Sequence, residues 1–132
     1  MPSQLTRRTM MAGLAAGIGF LRAAEDKPKQ LTADEVEQAL RDGKAFLLDV
    51  REPKELDEFG TIKGYVNIPL GQLESRLSEI PKDKVVVTLC QRGVRAGKAG
   101  ELLMKNGYTV AGACGILDWK SKQKPVIYPN KK

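Results

Sequence analysis

Cys90, Gln91, Arg92, Gly93, Val94, Arg95 and Ala96 follow one another directly and together describe an activated sulfur. The apolar run Val85 to Leu89 just before them reads as the strongest strand in the chain, and a helix is expected from about Arg95 to Lys105. A helix start presents unpaired backbone N–H groups and a partial positive charge. Gly93 lets the loop curl so that several N–H groups converge as an anion nest. Arg92 and Arg95 add full positive charges. Such surroundings favour the thiolate, the nucleophilic form of a cysteine. The same nest suits an anionic substrate, so nucleophile and electrophile meet in one place. Cys90 is therefore the candidate nucleophile, and Gln91, Arg92, Gly93, Val94 and Arg95 are the candidate substrate-binding loop. A cysteine that merely packs is the plainer alternative, but packing asks for neither the glycine nor the arginines.

The elements that must hold this loop alternate between strand-like and helix-like runs. Thr32-Ala33-Asp34-Glu35 is a capping box that opens a helix with Val36, Ala39 and Leu40 on one face, ended by Gly43. Ala45 to Val50 is a short apolar run read as a buried strand. Pro53 starts a helix through Phe59, and Val66 to Ile68 suits a brief strand before Pro69. Leu70, Leu73, Leu77 and Ile80 recur at helical spacing and predict one further helix, stopping at Pro81. After the long helix, Gly107 acts as a stop. Tyr108 to Val110 reads as the last strand and Ile116 to Lys122 as a short helix. Alternating strands and helices imply an α/β fold, a central mostly parallel sheet with helices on both faces. In such sheets functional groups gather beyond the carboxyl ends of the strands, where Cys90 falls.

Composition removes competing classes. The chain has 132 residues, room for one domain with a short extension. It has no histidine, which excludes a Ser-His-Asp triad and histidine-ligated metal. Two cysteines cannot form a four-thiolate zinc site. No metal and no cofactor are expected. The net charge is +6; removing Arg7, Arg8 and Arg22 of residues 1–24, which hold no acid, leaves 19 basic against 16 acidic residues. A body of +3 with few aromatics offers no strong footprint for nucleic acid.

Residues 1–24 read as an export signal, with Arg7-Arg8, a weakly apolar stretch from Thr9 to Leu21, and Ala23-Ala24 before Glu25-Asp26. The arginine pair before a glycine-containing stretch resembles a twin-arginine signal. The stretch has thirteen residues, short of the about 20 needed to span a membrane. The mature chain, residues 25–132, is thus expected to be exported, in a periplasm-like compartment.

At the cysteine loop the chain resembles a single-domain rhodanese, of the sulfurtransferase family. Cys90 to Ala96 fits the family's active loop, Cys-x-x-Gly-x-Arg followed by a small residue. Leu47-Leu48-Asp49-Val50-Arg51-Glu52 fits its Asp-x-Arg-Glu segment, Asn67-Ile68-Pro69-Leu70 the segment after the third strand, and Gly115-Ile116-Leu117-Asp118-Trp119 with Pro125-Val126 the C-terminal signature. The match spans about residues 30–127. The chain departs from the family at Thr61-Ile62-Lys63-Gly64-Tyr65, where His-Ile-Pro-Gly-Ala is usual, at Gln91, often arginine, and at Cys114, usually glycine. Four residues separate Cys90 from Arg95; cysteine phosphatases use one more to encircle a tetrahedral oxyanion, whereas the shorter loop fits a single sulfur atom.

The resemblance implies a sulfurtransferase that takes a sulfane sulfur from thiosulfate or a similar small anionic donor, carries it as a Cys90 persulfide, and gives it to cyanide or a thiol, including a protein acceptor. The alternative is a binding module that carries or senses sulfane sulfur without turnover. Asp49 and Arg51 would support the loop rather than react; a purely structural ion pair is the plainer alternative. A monomer is expected. If the family's strand order holds, Cys114 lies near Cys90 at the same sheet edge, with thiols within roughly 10 Å. That makes Cys114 a candidate redox partner, although a small side chain filling a glycine position is the favoured reading.

Overall fold

In the computed structural model, which describes residues 27–130, the first helix starts at Thr32. The Thr32 hydroxyl accepts the Glu35 N–H at 3.2 Å, and the Glu35 carboxylate accepts the Thr32 N–H at 2.9 Å. The expected capping box therefore closes from both sides and opens α1 (Ala33–Arg41). The export signal read over residues 1–24 lies outside the described residues.

Four strands, β1 (Ala45–Asp49), β2 (Val66–Asn67), β3 (Val85–Cys90) and β4 (Thr109–Gly115), form one parallel sheet in the order β2-β1-β3-β4. The fold is the expected α/β arrangement. A strand covered on both faces reads as a continuous apolar run rather than an alternating one, which is why β3, in the sheet interior, was the plainest strand in the sequence. The connections are α2 (Pro53–Phe59), α3 (Leu70–Leu73) and α4 (Val94–Lys105), and α5 (Ile116–Ser121) follows the last strand.

Two apolar cores lie on opposite faces of the sheet. One gathers Leu48, Val50, Val86 and Cys90 with Leu73 of α3 and Ala96, Ala99 and Leu103 of α4. The other gathers Leu47, Val87, Leu89 and Cys114 with Val36 of α1 and Ile116 and Trp119 of α5. Neighbouring residues of a strand point to opposite faces, so Leu89 and Cys90 enter different cores.

Two sequence expectations change. The single helix expected from Leu70 to Ile80 is instead α3 followed by a 3₁₀ segment, Glu74–Glu79, with non-helical backbone at Arg76 (φ −120°, ψ 20°). The apolar spacing survives because Leu73 and Ile80 still face the core beside Leu77. The last strand does not stop at Val110 but runs to Gly115. Ala111, Gly112 and Ala113 carry little β signal, yet the edge is stabilised by a strap before α1. Leu31 donates to Ala113 O at 2.7 Å, and Ala113 donates to Lys29 O at 2.8 Å. Gly112 is required there, since a Cβ would lie 2.6 Å from the Lys29 carbonyl.

Candidate active site

β3 ends at Cys90, and α4 begins four residues later at Val94. The turn between them is possible because Gly93, the residue capping α4, adopts φ 99°, a left-handed conformation that costs glycine little. The loop thereby folds back over the sulfur. Cys90 Sγ accepts the Gly93 N–H at 3.0 Å and the Ala96 N–H at 3.3 Å. Both are helix-start amides with no partner inside α4, so the sulfur takes the place of a capping group. The two amides converge on the sulfur as the loop curls around it.

Cys90 is 1% exposed. Access is through a cavity of about 250 Å³ lined by Cys90, Gln91, Arg92, Val94 and Arg95. Besides Cys90, the lining holds four of the five residues expected to bind substrate; the fifth, Gly93, donates its amide to Cys90 Sγ.

The two arginines of the loop differ. Arg95 donates to both oxygens of Glu55 at 2.8 Å, so its charge is shared with a carboxylate of α2. The Arg95 guanidinium holds Glu55 down to about 2, well below its usual range. Arg92 is exposed and makes no ion pair among the described residues. The sequence treated the pair alike. Glu55 was missed, because nothing in the local pattern links positions 40 residues apart.

Asp49 and Arg51 form the expected supporting pair, both with 0% exposed side chains. Arg51 is anchored to Asp49 Oδ1 and Oδ2 at 2.9 and 2.7 Å and to the Gly60 carbonyl at 2.8 Å. Its remaining guanidinium nitrogen donates to the Gln91 side chain at 3.1 Å. Burying two charges costs several kcal/mol unless their hydrogen bonds are met; here they are, and Gln91 is fixed as a result. Thr61, where a histidine is usual in the resembling family, donates its hydroxyl to Asp49 Oδ2 at 2.7 Å. Asn67 donates to the carbonyls of Asp49 and Arg51, both at 2.9 Å. Thr61 and Asn67 were not identified as site residues from the sequence.

Gly115 packs against the back of the loop. A Cβ there would sit 2.8 Å from Gln91 O and from the Arg92 carbonyl carbon, so the loop backbone occupies the space a side chain would need.

Cys114 is not where a redox partner must be. It lies within β4, paired with Leu89, and its side chain enters the core on the far side of the sheet from Cys90. It donates to the Thr88 carbonyl at 3.3 Å, and burial pushes the thiol up to about 12. Both cysteines are free. The small-side-chain reading fits, and direct bridging would require a thiol to cross the sheet.

Among the described residues no group of three His, Cys, Asp or Glu side chains is placed to hold a metal ion.

Fold and loop together define a parallel α/β domain built around one cysteine at a helix N-terminus. Residues 32–122 match the rhodanese-like domain, and the chain belongs to that family. It is 46% identical over 100 residues to the uncharacterized protein YqhL of Bacillus subtilis, covering 73% of this chain and 75% of that one. It is 33% identical over 105 residues to a sulfurtransferase of Allochromatium vinosum, covering 76% and 95%. Among solved structures, a rhodanese-related protein from Thermoplasma volcanium superposes with a TM-score of 0.69 at 29% identity, covering 76% of this chain and 98% of that one.

Proposed function

We propose that the protein is a sulfurtransferase that moves a sulfane sulfur from thiosulfate, or a similar small anionic donor, through a Cys90 persulfide to a thiol, with cyanide as the assay acceptor. The observation that carries this reading is Cys90 Sγ held by the Gly93 and Ala96 N–H groups at 3.0 and 3.3 Å. A nucleophile and an anion nest in one loop are what such a transfer needs.

In the first half, Cys90 thiolate attacks the outer sulfur of thiosulfate. The Sγ–S bond forms, the S–SO₃ bond breaks, and its electron pair leaves with sulfite. The negative charge then sits one atom further out, on the persulfide, near the loop amides and the loop cations, so little reorganisation is needed. In the second half, the acceptor attacks that outer sulfur and Cys90 recovers the electron pair.

A steady-state thiosulfate and cyanide assay tests this. Many thiocyanates per chain are expected; one or none would identify a carrier without turnover. The proposal extends to location. Arg7-Arg8 and the weakly apolar stretch behind it support twin-arginine export to the periplasm. Replacing both arginines with lysine should retain the precursor in the cytoplasm, and export in a strain lacking that route would contradict it.

A further inference from the structure

The family match ends at residue 122, yet the segment after it is built into the support of the cysteine loop. Thr61 donates its N–H to the Ile127 carbonyl and accepts the Ile127 N–H, both at 2.8 Å. Gly60, the left-handed residue just before it (φ 84°), is closely covered: a Cβ there would lie 3.1 Å from the Val126 side chain. This C-terminal strap is itself fixed at both ends. The Trp119 indole N–H donates to the Pro125 carbonyl at 2.7 Å, and Lys124 pairs with Asp34 and Glu37 of α1 at 2.9 and 2.8 Å. Further on, the Asn130 side chain donates to Asp57 of α2 at 3.2 Å. The corner at Gly60 and Thr61 is thus located from outside, by residues 124–130.

That corner holds Arg51. The Gly60 carbonyl accepts from Arg51 Nη2 at 2.8 Å, and the Thr61 hydroxyl donates at 2.7 Å to Asp49 Oδ2, which also accepts from Nη2. Thr61, Asp49 and Arg51 are all 0% exposed, so no solvent is at hand to replace a lost bond. A guanidinium is a rigid plane, so a tilt at Nη2 displaces Nη1 at its other corner. Nη1 makes the longest of the Arg51 side-chain bonds, 3.1 Å to Gln91 Oε1. Arginine only donates, so it takes the amide oxygen and leaves the NH₂ on the other branch. That NH₂ has no partner among the described residues, and Gln91 lines the Cys90 cavity.

Building on the sulfur-transfer reading above, we infer that Ile127 and Thr61 are positioning residues for the reaction. Through the Gly60 corner and Arg51 they hold the Gln91 amide so that its N–H groups meet the anionic part of the reactant at Cys90. An arginine at position 91 would attract an anion by charge alone. A neutral amide acts only when aimed, and this chain therefore depends on what aims it. Thr61 and Gln91, two of the positions where the chain departs from the family's usual pattern, are the ends of one hydrogen-bonded series.

The test compares two alkylating reagents of similar shape, iodoacetate and iodoacetamide, of which only the first is an anion. Their rate ratio on the full chain, read at the Cys90 peptide by mass spectrometry, cancels changes in the thiol itself and reports the help given to an anion. Thr61→Val should lower the ratio about threefold, and Thr61→Ser, which keeps the hydroxyl, should restore it. Ile127→Pro, which removes the N–H given to Thr61, should lower it likewise. In a Gln91→Met chain the ratio should already be low, and neither substitution should lower it further. The urea midpoint should instead fall equally for Thr61→Val in both backgrounds, because the bond to Asp49 stabilises the fold without Gln91. A ratio unmoved by Thr61→Val, or lowered equally with and without Gln91, would overturn the inference; if Ile127→Pro fails to fold, the Thr61 and Gln91 variants decide alone. The ratio needs no sulfur transfer. A chain that follows this alkylation pattern but gains no sulfur from thiosulfate would support the aimed amide and overturn the transfer reading.

Discussion

Arg95 and Glu55 join the first turn of α4 to the first turn of α2 through two 2.8 Å bonds across 40 residues of sequence. The Arg95 guanidinium is thereby held in one orientation, and the loop between β3 and α4 gains an anchor outside itself. The same Glu55 carboxylate accepts the Glu52 N–H at 3.0 Å, so one side chain both caps α2 and restrains the active loop.

This pair sets a pH dependence. Arg95 lowers Glu55 from its usual 4.5 to about 2. A depressed carboxyl contributes stability that is complete above about 4.5 and lost as pH falls toward 2. Glu55→Gln should therefore be less stable than the native chain by about 0.5–1 kcal/mol near neutrality, after solvent screening. Urea unfolding across the acid range should show the gap closing toward pH 2. A gap that stays constant would assign the loss to packing rather than to the charge.

The buried pair predicts a larger effect. Asp49→Asn leaves Arg51 charged at a site with no exposure, and breaking such a pair costs about 3–5 kcal/mol. That is a large share of the about 5–15 kcal/mol that stabilises an ordinary domain. Thr61→Val removes only the hydroxyl bond to Asp49 and should cost about 1 kcal/mol. Denaturant midpoints decide, and equal losses in the two variants would contradict the ranking.

The local parts of this site were legible from the chain alone. Cys90, Gly93 and the start of α4 are contiguous, so strand, turn and helix signals sufficed to bring the amides to the sulfur. The Asp49–Arg51 pair was expected only through the resemblance at the Asp-x-Arg-Glu segment, not from spacing or periodicity. The long-range ties were not: Glu55 to Arg95, Thr61 to Asp49, and the strap Lys29–Leu31 along β4 depend on which elements become neighbours, and no periodicity encodes that. β4 was cut short because alanine and glycine carry almost no strand propensity; its pairing to β3 and to the strap decides the matter instead. The same error moved Cys114 off the sheet and toward Cys90, when its place within the strand points it to the opposite core.

Cys114 should accordingly behave as an inert core thiol. Burial raises it to about 12, so near neutrality it stays protonated, the unreactive form. Iodoacetamide at neutral pH should leave Cys114 unlabelled in the folded chain and label it after denaturation. Mild peroxide without reductant should produce no Cys90–Cys114 linked peptide. Recovery of that peptide from folded protein would require a rearrangement of β4 against β3.

The most direct measurement is where sulfur goes. Incubation of the reduced chain with thiosulfate, followed by intact mass and peptide mapping under non-reducing conditions, should show one added sulfur atom on the peptide containing Cys90 and none on that containing Cys114. Cys90→Ser, nearly isosteric, should fold and gain nothing. Sulfur on Cys114, or a Cys90→Ser chain that still acquires it, would contradict the assignment of Cys90 as the nucleophile.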